Sequence, residues 1–79
     1  MKKVIIIGAT SGIGEEIAKI YIAQGWQVGI AGRREEALTA LATTAPAQVK
    51  KQVIDVTSAD APEQLKSLIE KLGGMDLFL

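Results

Sequence analysis

The sequence predicts an α/β fold in which helices cover both faces of a parallel β-sheet. Apolar runs of strand length alternate with longer amphipathic segments in the order βαβαβαβ. The connections between them are short, and no low-complexity linker interrupts the 79 residues. Strands joined in this way by right-handed crossovers form a parallel sheet. We therefore expect the N-terminal βαβαβαβ portion of a doubly wound parallel sheet.

The first strand is predicted at residues 2–7, because the four consecutive β-branched residues 4–7 suit a strand that is covered on both faces. A glycine-rich turn follows, and the first helix is predicted at residues 12–24. Gly25 is expected to end this helix. Its apolar side chains recur at helical spacing and are expected to form the buried face. These side chains are Ile13, Ile17, Ile20 and Tyr21.

The second strand is predicted at residues 26–31, and the second helix at residues 34–44. Acidic residues at the start of this helix suit the helix dipole, and Pro46 stops it. A third strand is predicted at residues 48–54. These elements repeat the strand–helix–strand pattern of the first unit.

The third helix is predicted from a capping box, in which Asp60 is the N-cap and Glu63 follows three residues later. Gly73 and Gly74 end the helix, and a fourth strand is predicted at residues 75–79. The expected buried stripe consists of Leu65, Leu68, Ile69 and Leu72. Because the chain stops within an apolar strand, we expect the whole sequence to be a partial domain that is truncated there.

Composition excludes several classes of function. Nine basic and nine acidic residues give a formal net charge of +0, which favours neither nucleic acid nor an anionic membrane as partner. No apolar run approaches the length of a membrane span. The sequence has no cysteine and no histidine, so we expect no disulfide, no Ser-His-Asp site and no metal site. The absence of cysteine fits the cytoplasm, where we expect the protein to be.

Three glycines lie between the first strand and the first helix. Gly8, Gly12 and Gly14 follow a strand and open a helix, which is the context of a dinucleotide-binding βαβ unit. The N–H groups and partial charge of a helix N-terminus suit a pyrophosphate, and glycine lets it approach. The alternative is that the three glycines form only a tight turn, which the hydroxyl groups of Thr10 and Ser11 stabilise. The candidate residues are Gly8, Thr10, Ser11, Gly12, Ile13 (through its backbone N–H) and Gly14.

These residues resemble the short-chain dehydrogenase/reductase family. The spacing of Gly8, Gly12 and Gly14 matches that family's cofactor motif, although Ile7 replaces the usual leading Thr. Asp55 and Val56 match the family's Asp and small apolar residue after the third strand, and Asp76 matches an Asp at the start of the fourth. The resemblance implies a Rossmann-type fold. It also implies that Asp55 accepts a hydrogen bond from the adenine amino group and that the backbone of Val56 makes a second contact.

The family's catalytic Asn, Ser and Tyr-x-x-x-Lys pair have no counterpart here. The sequence has no asparagine, and its only tyrosine, Tyr21, has Gly25 where the paired lysine belongs. We therefore expect no catalytic residue in this chain. The resemblance implies the cofactor-binding part of an oxidoreductase that moves a hydride between nicotinamide and a small carbonyl or alcohol substrate, and we expect a homo-oligomer. The alternatives are a stand-alone nucleotide-binding or interaction module and a truncation product without function.

The residues at the end of the second strand predict which of the two nicotinamide cofactors, NAD or NADP, is bound. An acidic residue there would bind the ribose hydroxyls of NAD, but the position is occupied by Gly32. Arg33 and Arg34 follow, and guanidinium groups pair well with a 2′-phosphate. We therefore expect residues 1–79 to form a partial NADP-binding domain. The alternatives are that the two arginines are solvated and balanced by the next two glutamates, and that Asp55 only forms a turn.

Overall fold

Strands and helices alternate along the part of the chain that this computed structural model describes, residues 2–9 and 12–79. The elements are β1 (Lys3–Ile7), α1 (Gly12–Ala23), β2 (Gln27–Gly32), α2 (Glu35–Thr44), β3 (Val49–Val53), α3 (Ala61–Leu72) and β4 (Leu77–Phe78). Each lies within about two residues of its predicted position, which is the usual uncertainty of element boundaries. Among the described residues, no helix has the length and apolar character needed to cross a membrane.

The sheet is parallel throughout, with the strand order β3-β2-β1-β4. Ile5 of β1 lies between Gly29 of β2 and Phe78 of β4. The chain moves in one direction from β1 to β3 and then crosses to the far side of β1. Because such crossovers are right-handed, this reversal places α3 on the opposite face from α1 and α2. The predicted doubly wound α/β fold is confirmed.

Alternate residues of the central strand belong to two different cores. Ile6 packs in a cluster with Ala18 of α1 and Leu38 of α2. Ile5, one residue earlier, packs in a second cluster with Leu68 of α3. Successive strand residues point to opposite faces, so a strand covered on both sides must be apolar throughout. This explains why β1 is a continuous run of β-branched residues.

The buried face of α1 differs from the predicted one. Ile13 and Ile20 are 79% and 54% exposed, whereas Gly14 and Ala18 are buried. Ile17 and Tyr21 are half-buried against the first core, so the prediction is confirmed for these two side chains and is wrong for Ile13 and Ile20. The reason is steric, because small residues let the start of α1 approach the glycine turn closely. A pattern of large apolar residues could not reveal that contact.

Tyr21 acts as a packing residue, as predicted. Its ring meets the ring of Trp26 edge-on, with 4.7 Å between centroids, and Nζ of Lys2 lies 5.5 Å from the Trp26 centroid. The side-chain amide of Gln48 donates to the carbonyl groups of Ile22 and Trp26 at 3.0 and 2.9 Å. These contacts fix the connection between α1 and β2 at the amino end of the sheet.

The predicted capping box of α3 is not formed. Asp60 occupies the N-cap position, but its φ and ψ of −84° and −7° are helical and its side chain makes no capping hydrogen bond. A side-chain cap normally requires an extended backbone at that position. The C-terminal prediction is confirmed, because Gly73 has φ +85° and its N–H donates to the carbonyl of Ile69 at 3.0 Å.

Lys3 ties β4 to the centre of the sheet. Its backbone N–H donates to Oδ2 of Asp76, and the N–H of Asp76 donates to the carbonyl of Lys3, both at 2.8 Å. The Nζ of Lys3 also donates to the carbonyl of Gly73 at 2.8 Å, at the C-terminus of α3. A cation at this end of a helix is favourable for the dipole. Together these bonds fix the point at which β4 joins β1.

Candidate dinucleotide site

The carboxyl ends of β1, β2 and β3 meet at one edge of the sheet, where they open into a cleft of about 370 Å³. In an open parallel sheet, ligands bind outside this edge, at the point where the strand order reverses. The residues lining the cleft are Ile7, Gly8, Gly32, Arg33, Arg34, Ile54, Asp55, Val56 and Thr57. The fold therefore brings together the predicted residues that follow three different strands.

The turn after β1 is anchored to the end of β2. Gly8 has φ +79°, a backbone conformation that favours glycine. The N–H groups of Gly8 and Ala9 both donate to the carbonyl of Ala31, at 2.8 and 3.1 Å. Thr10 and Ser11, the two predicted hydroxyl contacts, lie outside the described residues. The turn is thus held in place by backbone hydrogen bonds from its first two residues.

Gly14 and Gly12 are glycines for different reasons. A Cβ on Gly14 would clash with the carbonyl oxygen of Gly8 and lie 2.9 Å from its carbonyl carbon. A Cβ on Gly12 would meet no described atom within 4 Å. The side chain of Ile13 is exposed, so the packing role considered for it is wrong. A tight turn therefore accounts for Gly8 and Gly14, whereas no contact with the described residues requires glycine at position 12.

Two cations stand at the end of β2. Gly32 is the last, buried residue of that strand, and Arg33 and Arg34 are exposed beside it. Arg34 occupies the N-cap position of α2 without a side-chain capping bond. Among the described residues neither guanidinium forms an ion pair with a carboxylate, and Glu35 pairs instead with Lys51 at 3.6 Å. The alternative in which Glu35 balances the arginines therefore finds no support in these contacts.

The carboxylate of Asp55 is fixed by Thr57. Its Oδ1 accepts hydrogen bonds from the backbone N–H of Thr57 at 2.9 Å and from the Thr57 hydroxyl at 2.6 Å. The hydroxyl and backbone bonds of Thr57, with a smaller contribution from the charge of Arg33, lower the pKa of Asp55 below its ordinary value. Asp55 thus forms the turn considered for it and also lines the cleft. Val56, next to it, is 67% exposed.

No metal-binding arrangement occurs in the part of the chain that the structure describes. No three His, Cys, Asp or Glu side chains come close enough together there to hold an ion. The residues that line the described cleft include two arginines and one aspartate, and these side chains suit an anionic ligand that also carries a hydrogen-bond donor.

Comparison with known proteins decides the family. The sequence model described as short chain dehydrogenase matches residues 2–79. The chain belongs to the short chain dehydrogenase family. Serine 3-dehydrogenase from Agrobacterium fabrum is 39% identical over 61 residues, which are 77% of this chain and 24% of that protein.

Two solved structures show the same fold. The closed form of serine dehydrogenase complexed with NADP⁺ has a TM-score of 0.85 at 34% identity, over 96% of this chain and 31% of that one. The 3-ketoacyl-(acyl-carrier-protein) reductase from Brucella melitensis, complexed with NADH, has a TM-score of 0.88 at 27% identity, over 98% and 32%. The chain thus spans between 24% and 32% of the length of these three proteins.

Asp76, which resembles an Asp of the short chain dehydrogenase pattern, lies away from the cleft. Its carboxylate accepts the backbone N–H of Lys3, the first residue of β1, whereas the cleft opens at the other end of that strand. Its role in the described structure is to fix the start of β4 against β1. Of the predicted family markers, Gly8, Asp55 and Val56 line the cleft, whereas Gly12, Gly14 and Asp76 do not.

The sequence analysis did not single out Thr57. In the structure this residue makes both described side-chain hydrogen bonds of the Asp55 carboxylate. A signal was available, because an Asp whose side chain bonds the backbone two residues on is the mark of an Asx turn. The pairing of Glu35 with Lys51 was also missed, because it joins α2 to β3 and has no local sequence signal.

Proposed function

We propose that residues 1–79 form the cofactor-binding part of an NADP-dependent oxidoreductase, which transfers a hydride between nicotinamide and a small carbonyl or alcohol substrate. Membership of the short chain dehydrogenase family supports the reaction class. The observation that carries the proposal is the arrangement at one sheet edge, where Gly8 of the glycine turn, the arginine pair and Asp55 line the same cleft. The bound nicotinamide would supply the hydride chemistry, while this part of the protein binds and orients the cofactor.

The residues of the glycine turn fit a pyrophosphate. No described atom lies within 4 Å of a Cβ built on Gly12, so among the described residues no side chain blocks the approach of phosphate oxygens to the N-terminal N–H groups of α1. Gly8 and Gly14 shape the turn that exposes this helix end. In the proposal Thr10, Ser11 and the backbone N–H of Ile13 add contacts there.

Gly32, Arg33 and Arg34 support NADP rather than NAD. No carboxylate stands at the end of β2 to bind the ribose hydroxyls or to repel a 2′-phosphate. The two guanidinium groups have no carboxylate partner among the described residues and are accessible. One related structure is a complex with NADP⁺ and another is a complex with NADH, so the choice of cofactor rests on these three residues.

Asp55 and Val56 complete the adenosine pocket in this proposal. The carboxylate of Asp55 would accept a hydrogen bond from the adenine amino group, and the backbone of Val56 would give a second contact. Asp55 lines the same cleft as Arg33 and Arg34, so the adenine base of one nucleotide could contact Asp55 while its 2′-phosphate contacts the two arginines. The catalytic Asn, Ser, Tyr and Lys of the family are not assigned to any residue of this chain.

β4 is the last strand on one side of the sheet, and the apolar surface beside it supports association with further polypeptide or with a second copy of the chain. Phe78 and Leu79 are 50% and 46% exposed beside an apolar groove of about 710 Å³. Apolar surface of this kind at a sheet edge favours association. The proposal includes a homo-oligomer and a cytoplasmic location.

The adenosine half of the cofactor gives a direct test. We expect adenosine 2′,5′-bisphosphate to bind the chain about ten- to a hundredfold more tightly than adenosine 5′-monophosphate, because one charge-assisted hydrogen bond contributes about 1.5–3 kcal/mol. Isothermal titration calorimetry with both nucleotides measures this ratio. Equal affinities would mean that Arg33 and Arg34 do not recognise a 2′-phosphate, and the NADP proposal would be wrong.

A further inference from the structure

Thr57 concentrates its hydrogen bonds on a single oxygen of Asp55. The backbone N–H and the hydroxyl of Thr57 both donate to Oδ1, at 2.9 and 2.6 Å. No other side-chain hydrogen bond to Asp55 occurs among the described residues, so Oδ2 accepts none there. Because two donors hold Oδ1, rotation of the carboxylate is restricted, and Oδ2 is the acceptor that is available to a ligand in the cleft.

We propose that Thr57 is a positioning residue, which holds Oδ1 of Asp55 so that Oδ2 accepts the exocyclic amino group of an adenine base. This inference rests on the proposed function and adds to it the residue that sets base specificity. A carboxylate can only accept hydrogen bonds, so it favours a base that presents a donor. A base that presents a carbonyl oxygen at the same place would leave two acceptors facing each other.

The charge of Asp55 supports this role. The bonds from Thr57 lower the pKa of Asp55, and the nearby charge of Arg33 acts in the same direction. A lowered pKa in the folded state means that these bonds stabilise the fold at neutral pH. That stability is lost as the pH falls below the ordinary value of 3.8 and through the lower folded pKa. At neutral pH Asp55 is therefore a constant acceptor and never a donor.

The turn does not depend on the Thr57 hydroxyl alone. The N–H of Ser58 donates to the carbonyl of Asp55 at 2.9 Å, and the N–H of Ala61 donates to the carbonyl of Ser58 at 3.2 Å. Thr57 is also exposed, so a change of its side chain creates no cavity. Thr57→Val removes the hydroxyl and keeps the shape, whereas Thr57→Ser keeps the hydroxyl. These two substitutions separate the positioning of Asp55 from the general integrity of the loop.

The test compares two ligands that differ at one group. NADP⁺ and its hypoxanthine analogue, in which a carbonyl oxygen replaces the adenine amino group, are titrated calorimetrically into the wild-type chain and both variants. We expect the wild type to favour the adenine form by about tenfold or more, as one charge-assisted hydrogen bond implies. Thr57→Val should lose most of this preference by weakening the adenine form alone, and Thr57→Ser should retain it.

Each other outcome contradicts a stated part of the argument. Equal weakening of both ligands by Thr57→Val would assign Thr57 a purely structural role and overturn the inference. Binding without base preference in the wild type would overturn the inference and leave the proposed function standing. Failure of a folded wild-type chain to bind either ligand would overturn both the inference and the proposed function.

In the ligand-free protein, carbon-detected NMR should show a higher Asp55 pKa in Thr57→Val than in Thr57→Ser, and identical values would contradict the role of the hydroxyl.

Discussion

Replacement of Arg33 by alanine is expected to weaken NADP⁺ binding by about ten- to a hundredfold and to leave NAD⁺ binding unchanged. The guanidinium has no carboxylate partner within the described part of the chain and stands beside Gly32, so a 2′-phosphate is its natural partner. Loss of one charge-assisted hydrogen bond costs about 1.5–3 kcal/mol, which corresponds to this range. Parallel calorimetric titrations of the variant with the two cofactors measure both effects.

Two matched variants control this prediction. Lys50→Ala removes an exposed cation from β3, away from the cleft, and should leave both affinities unchanged. Arg34→Ala tests the second guanidinium and should have a smaller effect than Arg33→Ala. If Arg33→Ala and Lys50→Ala weaken NADP⁺ to the same extent, the effect is one of net charge, and the assignment of Arg33 to the 2′-phosphate is wrong.

Gly14→Ala is expected to destabilise the fold by on the order of 3 kcal/mol, at the upper end of the cost of overpacking. The added Cβ would clash with the carbonyl oxygen of Gly8, and a backbone atom cannot move aside as the end of a side chain can. For 79 residues this is a large share of a total stability of roughly 4–12 kcal/mol. Urea denaturation followed by the fluorescence of the single Trp26 measures the change.

Gly12→Ala is the matched comparison, because its Cβ would meet no described atom. Alanine is also the better helix former, so we expect unchanged stability or a gain of up to about 1 kcal/mol. NADP⁺ binding should nevertheless fall more than about tenfold, because the methyl group occupies the space that a phosphate would approach. Normal binding by Gly12→Ala would show that the phosphates do not lie over this residue and would favour the plain-turn interpretation.

The order of the elements was predictable because the pattern that specifies them is local. β1 is a run of β-branched residues because both of its faces are covered, and Gly73 ends α3 through its own backbone conformation. The inner face of α1 was not predictable in this way. The inner face of α1 depends on the close approach of Gly14 to Gly8 in the preceding turn. With Gly14 on the inner face, Ile13 and Ile20 are exposed.

The candidate site was predictable to the extent that its residues follow strand ends. Gly8, Arg33 and Asp55 come after successive parallel strands, and such strands bring their carboxyl ends to one edge. Asp60 and Asp76 were harder to place, because a carboxylate near a helix or strand start has several available partners. The structure gives Asp60 no capping bond and gives Asp76 the N–H of Lys3, and both outcomes depend on backbone geometry.

The most direct test of the central claim is a calorimetric titration of the wild-type, 79-residue chain with NADP⁺ and with NAD⁺. If the proposed NADP site is correct, we expect saturable binding of one NADP⁺ per chain, about ten- to a hundredfold tighter than binding of NAD⁺. Equal or tighter binding of NAD⁺ would contradict the roles assigned to Gly32 and Arg33. Binding of neither cofactor by a folded sample would contradict the site itself.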